Sequence, residues 1–133
     1  ETLRSFNFIR EAIEHFGSQV VFSLDLKNGK LLTKSEDVAS MDFFALLQEL
    51  RELGAAELIV LDLDRVGSGE GVDFGLLKKI RRHFKRSLLV GGGVRNIDDL
   101  LKLKEMGIDG VLLATALHSG KISIEALHKS GLL

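Results

Sequence analysis

Hydrophobic residues along the chain alternate between two periods. From Leu3 to Phe16 they recur at helical spacing (Phe6, Ile9, Ile13, Phe16) and stop at Gly17, a common residue just past a helix end. Gln19–Leu26 is a short, largely apolar run followed by Asn28-Gly29, which predicts a buried strand and a turn. A polar loop over Thr33–Ser40 leads to a helix over Met41–Leu53, with Phe43, Leu46, Leu47, Leu50 and Leu53 on one face, ended by Gly54. Glu57–Asp64 predicts the second strand, followed by the glycine-rich Gly67–Gly71, and Phe74–Phe84 a helix turning Leu77, Ile80 and Phe84 inward. Ser87–Val90 is the third strand, broken by Gly91-Gly92-Gly93. Asn96 can cap a helix over Ile97–Met106, with Asp98 and Asp99 near its positive end, and Gly107 closes it. Gly110–Ala114 is the fourth strand, and Ser123 can cap a short helix ending near Ser130-Gly131.

Four nearly continuously apolar strands separated by helices predict an α/β protein with a parallel sheet. With no proline in the chain and no low-complexity stretch, residues 1–133 are expected to form one domain. Two architectures fit. An open doubly wound sheet would want its phosphate-binding glycines after the first strand, but they come after strands two and three. A complete (β/α)8 barrel needs about 200–250 residues, so 133 residues would supply (β/α)4, half of one.

Composition narrows the chemistry. Eighteen Lys+Arg against nineteen Asp+Glu give a formal charge of −1, which argues against a nucleic-acid partner held by bulk charge. The sequence lacks cysteine, so disulfides, thiolate metal sites and a cysteine nucleophile are excluded, and four scattered histidines make a zinc site unexpected. No apolar run approaches membrane-spanning length and no signal-like segment follows Glu1, so a cytoplasmic protein without a membrane partner is expected. A chain opening on Glu rather than Met is expected to be a processed or trimmed piece.

Several residues stand out chemically. Gly91-Gly92-Gly93, between a strand and a helix, could let backbone N–H groups converge on a phosphate, or could be only a tight turn. Ala114-Thr115 ends the next strand with small residues, and barrel enzymes often bind phosphate after their last two strands. Thr115 could donate its hydroxyl or cap a helix. Asp25 lies at the C-terminal end of the first strand on the side of Val21 and Ser23, where proton-transfer groups sit in a barrel, or where an aspartate orders a loop. Asp62 and Asp64 read as loop-shaping or helix-facing. The basic run from Lys78 to Arg86 reads as a solvated helix face, since no aromatics are interleaved.

VFSLDLKNGKLL (21–32), LIVLDLDRVGSGEG (58–71) and LLVGGGVRNIDDLLKLKEMGIDGVLLATALHSGKI (88–122) together resemble the histidine-biosynthesis barrel superfamily of phosphoribosylformimino-aminoimidazole-carboxamide ribotide isomerase and imidazole-glycerol-phosphate synthase cyclase. The resemblance covers essentially the whole chain. It implies a duplicated half-barrel, and the helix before the first strand matches the C-terminal half, strands five to eight. Within the chain itself, Glu1–Ser5 aligns with Thr115–Ser119 in the same relation to a following helix, which would put Glu1 at the end of a missing fourth strand. On this resemblance Asp25 matches the general acid of an Amadori-type aldose–ketose isomerisation. Gly92 and Gly93 match glycines that hold one substrate phosphate, and Ala114 and Thr115 match the adjacent small pair. A phosphorylated sugar or ribotide is the implied substrate, with no cofactor or metal, and the general base and a second phosphate site would lie outside this chain. The isolated chain is then expected to be inactive, and its partner is a missing N-terminal half or a second copy in a homodimer. There are departures. Leu61 stands where the family has threonine, Val66 replaces the aspartate of an Arg-Asp-Gly-Thr turn, and a tryptophan common after the isomerase's strand five is absent. Lost rim hydroxyl and carboxylate groups imply a paralogue with a related substrate.

Overall fold

The computed structural model describes residues 5–133. The expected helix start at Leu3 and the alignment of Glu1 to a strand end lie outside these residues. Helix α1 (Phe6–Phe16) ends at Gly17, whose φ of 55° is open to glycine at no steric cost. Ile9 faces the core, whereas Phe16 is 61% exposed and does not share the buried stripe that its spacing suggested.

Strand β1 (Val21–Lys27) turns back through Asn28-Gly29 into β2 (Lys30–Leu31), an antiparallel strand that the sequence pattern did not announce. Both turn residues have positive φ (53° and 69°), the requirement of a two-residue hairpin matching strand twist. The supposed polar loop contains a one-turn helix, α2 (Glu36–Ala39), started by Ser35, whose hydroxyl accepts the Val38 N–H. Helix α3 (Phe43–Glu52) starts two residues later than its apolar pattern because Asp42 caps it, accepting from Phe44 and Ala45. Then come β3 (Glu57–Asp62), α4 (Phe74–His83) capped by Asp73, β4 (Ser87–Gly91), α5 (Ile97–Glu105) capped by Asn96, and β5 (Gly110–Leu112). The four-residue α6 (Thr115–His118), absent from the sequence reading, precedes α7 (Ile124–Lys129), which Ser123 caps as expected.

The sheet order is β2-β1-β3-β4-β5, and β1, β3, β4 and β5 run parallel in chain order through three neighbouring pairs. Even-numbered strand residues Phe22, Leu24, Leu26, Leu58, Val60, Leu88 and Val90 join Ile9, Leu46, Leu47, Leu50, Leu77, Ile80, Phe84 and Leu103 in one core. Helices α1, α3, α4 and α5 therefore cover the same face. A doubly wound sheet would carry helices on both faces. The fold is the (β/α)4 arrangement of half a (β/α)8 barrel, with the sheet unclosed. A smaller cluster of Leu100, Ala116, Ile122 and Leu127 seats α6 and α7 against α5.

The second sheet face is layered by register. Val21, Glu57 and Ser87 form one level, then Ser23, Ile59, Leu89 and Gly110, then Asp25, Leu61, Gly91 and Leu112. Val21 and Leu112 are each 42% exposed, and Ile59, Leu61 and Leu89 belong to neither hydrophobic cluster. Among the described residues nothing covers this face.

Candidate functional site

At the C-terminal ends of the strands, three loops enclose a cleft of about 440 Å³. One wall is the β3–α4 loop from Arg65 to Gly69, the next is Gly91–Arg95, and the third is Leu112–Ala116 with Lys121 beyond it. Gly92, Gly93, Ala114 and Thr115, singled out from sequence, all line this one cleft. Asp25 does not. It stands at the level of Leu61 and Gly91, one strand from Leu61 and two strands from Gly91, a displacement of about 10 Å from the glycine turn at ordinary strand spacing.

Glycine is needed in the middle turn for close packing as much as for conformation. A Cβ on Gly92 (φ 101°) would lie 2.3 Å from the Asp62 carbonyl oxygen, and one on Gly93 (φ 83°) 2.4 Å from that of Gly71. The β4–α5 loop thus touches the end of β3 and the β3–α4 loop backbone to backbone, which is the close packing of a tight turn. Beyond it, the first N–H groups of α5 have no intrahelical acceptor. Asn96 takes that of Asp99, and Asp99 takes that of Arg95.

Asp99, expected near the positive end of the helix dipole, is also buried. It is 1% exposed and accepts both Arg95 guanidinium nitrogens, Nε and Nη2, at 3.0 Å. Those hydrogen bonds hold its carboxyl below the usual carboxylate range, against burial, which pushes it up; the same pair raises Arg95. Arg95 in turn lies over Gly71, where a Cβ would meet its Cζ at 2.6 Å. The i,i+4 spacing of Arg95 and Asp99 is the sequence signal that could have found this pair. Arg65, also unforeseen, donates to the Gly71 carbonyl at 3.2 Å and lies 4.0 Å from Asp62 and 3.8 Å from Glu70.

Ala114, not Thr115, occupies the cap position of α6, so Thr115 is the first helical residue and its hydroxyl has no partner among the described residues. Leu61 overlies Gly91, where a Cβ would meet its Cδ2 at 2.7 Å, giving the cleft an apolar floor together with Leu112. Asp25 accepts a hydrogen bond from Ser23 at 2.9 Å, and its main-chain oxygen accepts from Leu32. Asp64 shapes a loop, as its position suggested, taking the Asn28 N–H. Asp62 points with Leu58 and Val60 toward the helices. Two cations of the basic run are used internally. Arg81 reaches Asp109 and the carbonyls of Gly107 and Arg86, and Arg86 reaches the Ala55 carbonyl. Among the described residues no three His, Asp or Glu side chains are grouped to hold a metal ion, and no helix is long and apolar enough to cross a membrane.

Known proteins share this sequence pattern. The family profile described as histidine biosynthesis protein matches residues 1–123. A phosphoribosyl-imidazole-carboxamide isomerase of Clostridium acetobutylicum is 29% identical over 124 residues, 92% of this chain and 52% of that protein. The corresponding isomerase of Crocosphaera subtropica is 31% identical, over 94% of this chain and 51% of its own length. An uncharacterized protein of Methanocaldococcus jannaschii reaches 34% identity over 96% of this chain and 50% of its own. The chain spans about half the length of the curated relatives it matches. With the profile running through all four parallel strands and into the last loop, the chain belongs to the histidine biosynthesis protein family.

Proposed function

We propose that this chain is the phosphate-binding half of an isomerase-like barrel that acts on a phosphorylated sugar or ribotide. The observation that carries this reading is the convergence of Gly92, Gly93, Ala114 and Thr115 on one cleft at the C-terminal strand ends, where parallel barrels bind phosphate. Backbone amides beside flexible glycines suit a phosphate because they present several donors with no side chain in the way. The relatives' printed isomerase activity supports the reaction class.

In this reading Asp25 moves the proton. An aldose–ketose rearrangement takes a proton from one carbon and returns one to a neighbouring atom, which needs an acid and a base. Asp25 projects from the uncovered sheet face, about 10 Å from the strand that ends in the glycine turn, a separation that a ligand longer than a bare phosphate can bridge. Ser23 orients its carboxylate. The second carboxylate and the far side of the substrate site belong to the four strand–helix units that complete the ring, so the chain by itself is inactive. Leu61 favours a substrate related to, but different from, that of the isomerases, since an apolar floor cannot donate the hydrogen bond a threonine would.

The test is an aldose–ketose isomerisation assay on this chain and on a longer chain containing it. Activity is expected only in the longer one, and Asp25→Asn there lowers kcat about a thousandfold. An unchanged rate removes Asp25 from the mechanism.

The uncovered face supports a second reading, a non-catalytic half-barrel that associates with itself. Exposed Val21 and Leu112 and two unpaired sheet edges favour association. Light scattering at micromolar concentration distinguishes a dimer from a monomer, and a stable monomer rules this reading out.

A further inference from the structure

We propose that Lys121 supplies the charge that holds an anion in the cleft, and so selects a doubly charged phosphate over a neutral or singly charged group. The proposal rests on the phosphate reading of the cleft and adds the residue that decides which ligand charge it accepts. Three cationic side chains line the cleft: Arg65, Arg95 and Lys121. Two are already committed. Arg95 is locked bidentate to buried Asp99, and Arg65 is shared among Asp62, Glu70 and the Gly71 carbonyl. Each has a carboxylate within 4.0 Å and donates to an acceptor of the loops it ties together. Lys121 alone of the three has no hydrogen-bond or ion-pair partner among the described residues.

Its backbone is nevertheless fixed. The next residue, Ile122, is 1% exposed in the small hydrophobic cluster and donates its N–H to the Ala116 carbonyl at 3.0 Å. Just before it, Gly120 turns the chain with φ 72° and donates to the Leu117 carbonyl at 3.1 Å. Lys121 is therefore held between two anchors on α6, beside the Ala114–Thr115 wall. Only its flexible four-carbon stem remains to be ordered when a ligand arrives. Amides supply directed dipoles, whereas an ammonium adds net charge, and that difference separates a dianion from a monoanion. Because Lys121 stands beyond the β5–α6 wall and Arg65 on the opposite one lies within 4.0 Å of two carboxylates, the charged end of the ligand is drawn toward α6. The remainder then lies over the apolar floor of Leu61 and Leu112.

The experiment is calorimetric titration of the full chain with inorganic phosphate at low ionic strength, for the wild type, Lys121→Met and Lys121→Arg. Circular dichroism confirms that these exposed-site variants remain folded. Lys121→Met is expected to weaken phosphate binding about tenfold and to flatten its dependence on salt, while Lys121→Arg stays within about threefold of wild type. Wild-type binding that Lys121→Met reproduces in affinity and salt slope overturns the role of Lys121 and leaves the phosphate reading standing. No phosphate binding by the wild type overturns the phosphate reading, and Lys121 falls with it.

Discussion

The two faces of the sheet are built from alternate residues of the same strands, yet they have different fates. Leu88 is fully buried beneath helices, while the next residue, Leu89, faces the uncovered side at the level of Ser23, Ile59 and Gly110. On the covered face nearly every strand position is a large aliphatic or aromatic residue, and helix caps, apolar stripes and core agree with one another. The uncovered face mixes levels: a carboxylate and a serine, hydrogen-bonded as Glu57 and Ser87 at 2.6 Å, then aliphatics, then Asp25 beside Leu61. One face holds the chain together. The other carries the candidate chemistry and, among the described residues, has no layer packed against it.

Substitutions at neighbouring positions can break this contrast. Leu88→Ala is expected to cost about 4 kcal/mol in urea unfolding, through lost burial and the cavity left behind. Leu89→Ala is expected to cost under about 1 kcal/mol in the isolated chain, and an equal cost at both sites would mean that the second face is covered after all. Asp99→Asn sharpens the picture on the helical side, at about 2 kcal/mol near neutral pH. The Asp99 carboxyl is held below its ordinary range when folded, so its contribution is complete above the unfolded-state value and disappears as pH falls through the folded one. The gap between wild type and Asp99→Asn in urea midpoint should therefore close on acidification, and a gap that persists in acid would remove the ion pair as its cause. Gly29→Ala, with open space for its Cβ but a φ of 69°, should cost about 1 kcal/mol, measured the same way.

The covered face was readable in the sequence because helices advertise themselves through spacing and stops. Leu46, Leu47 and Leu50, or Leu77, Ile80 and Phe84, predict their own burial. The strand–helix order and the glycine turns announced the cleft, because glycine-rich turns are local in sequence. What escaped was non-local or too short to show a period. The β1–β2 hairpin and the one-turn helices α2 and α6 span fewer residues than a helical stripe needs. Phe16 fitted the period but lay past the packed turns. Asp99 looked like a helix starter at the positive end of the dipole, and its i,i+4 spacing from Arg95 went unread because Arg95 lies before the helix cap Asn96. Lys121 carried no signal of its own, for its significance comes from what Arg65 and Arg95 are already bound to.

Strand β2 has a consequence for how a larger ring could be assembled. It pairs with Leu26 and Lys27, and Leu32 just beyond it donates to the Asp25 carbonyl, so among the described residues the outer edge of β1 is open only from Val21 to Leu24. A strand added in parallel there can climb to the level of Leu24 and no further. The hairpin thus acts as a mechanical stop that limits the stagger between adjoining strands, and in a closed barrel that stagger sets the tilt and the bore.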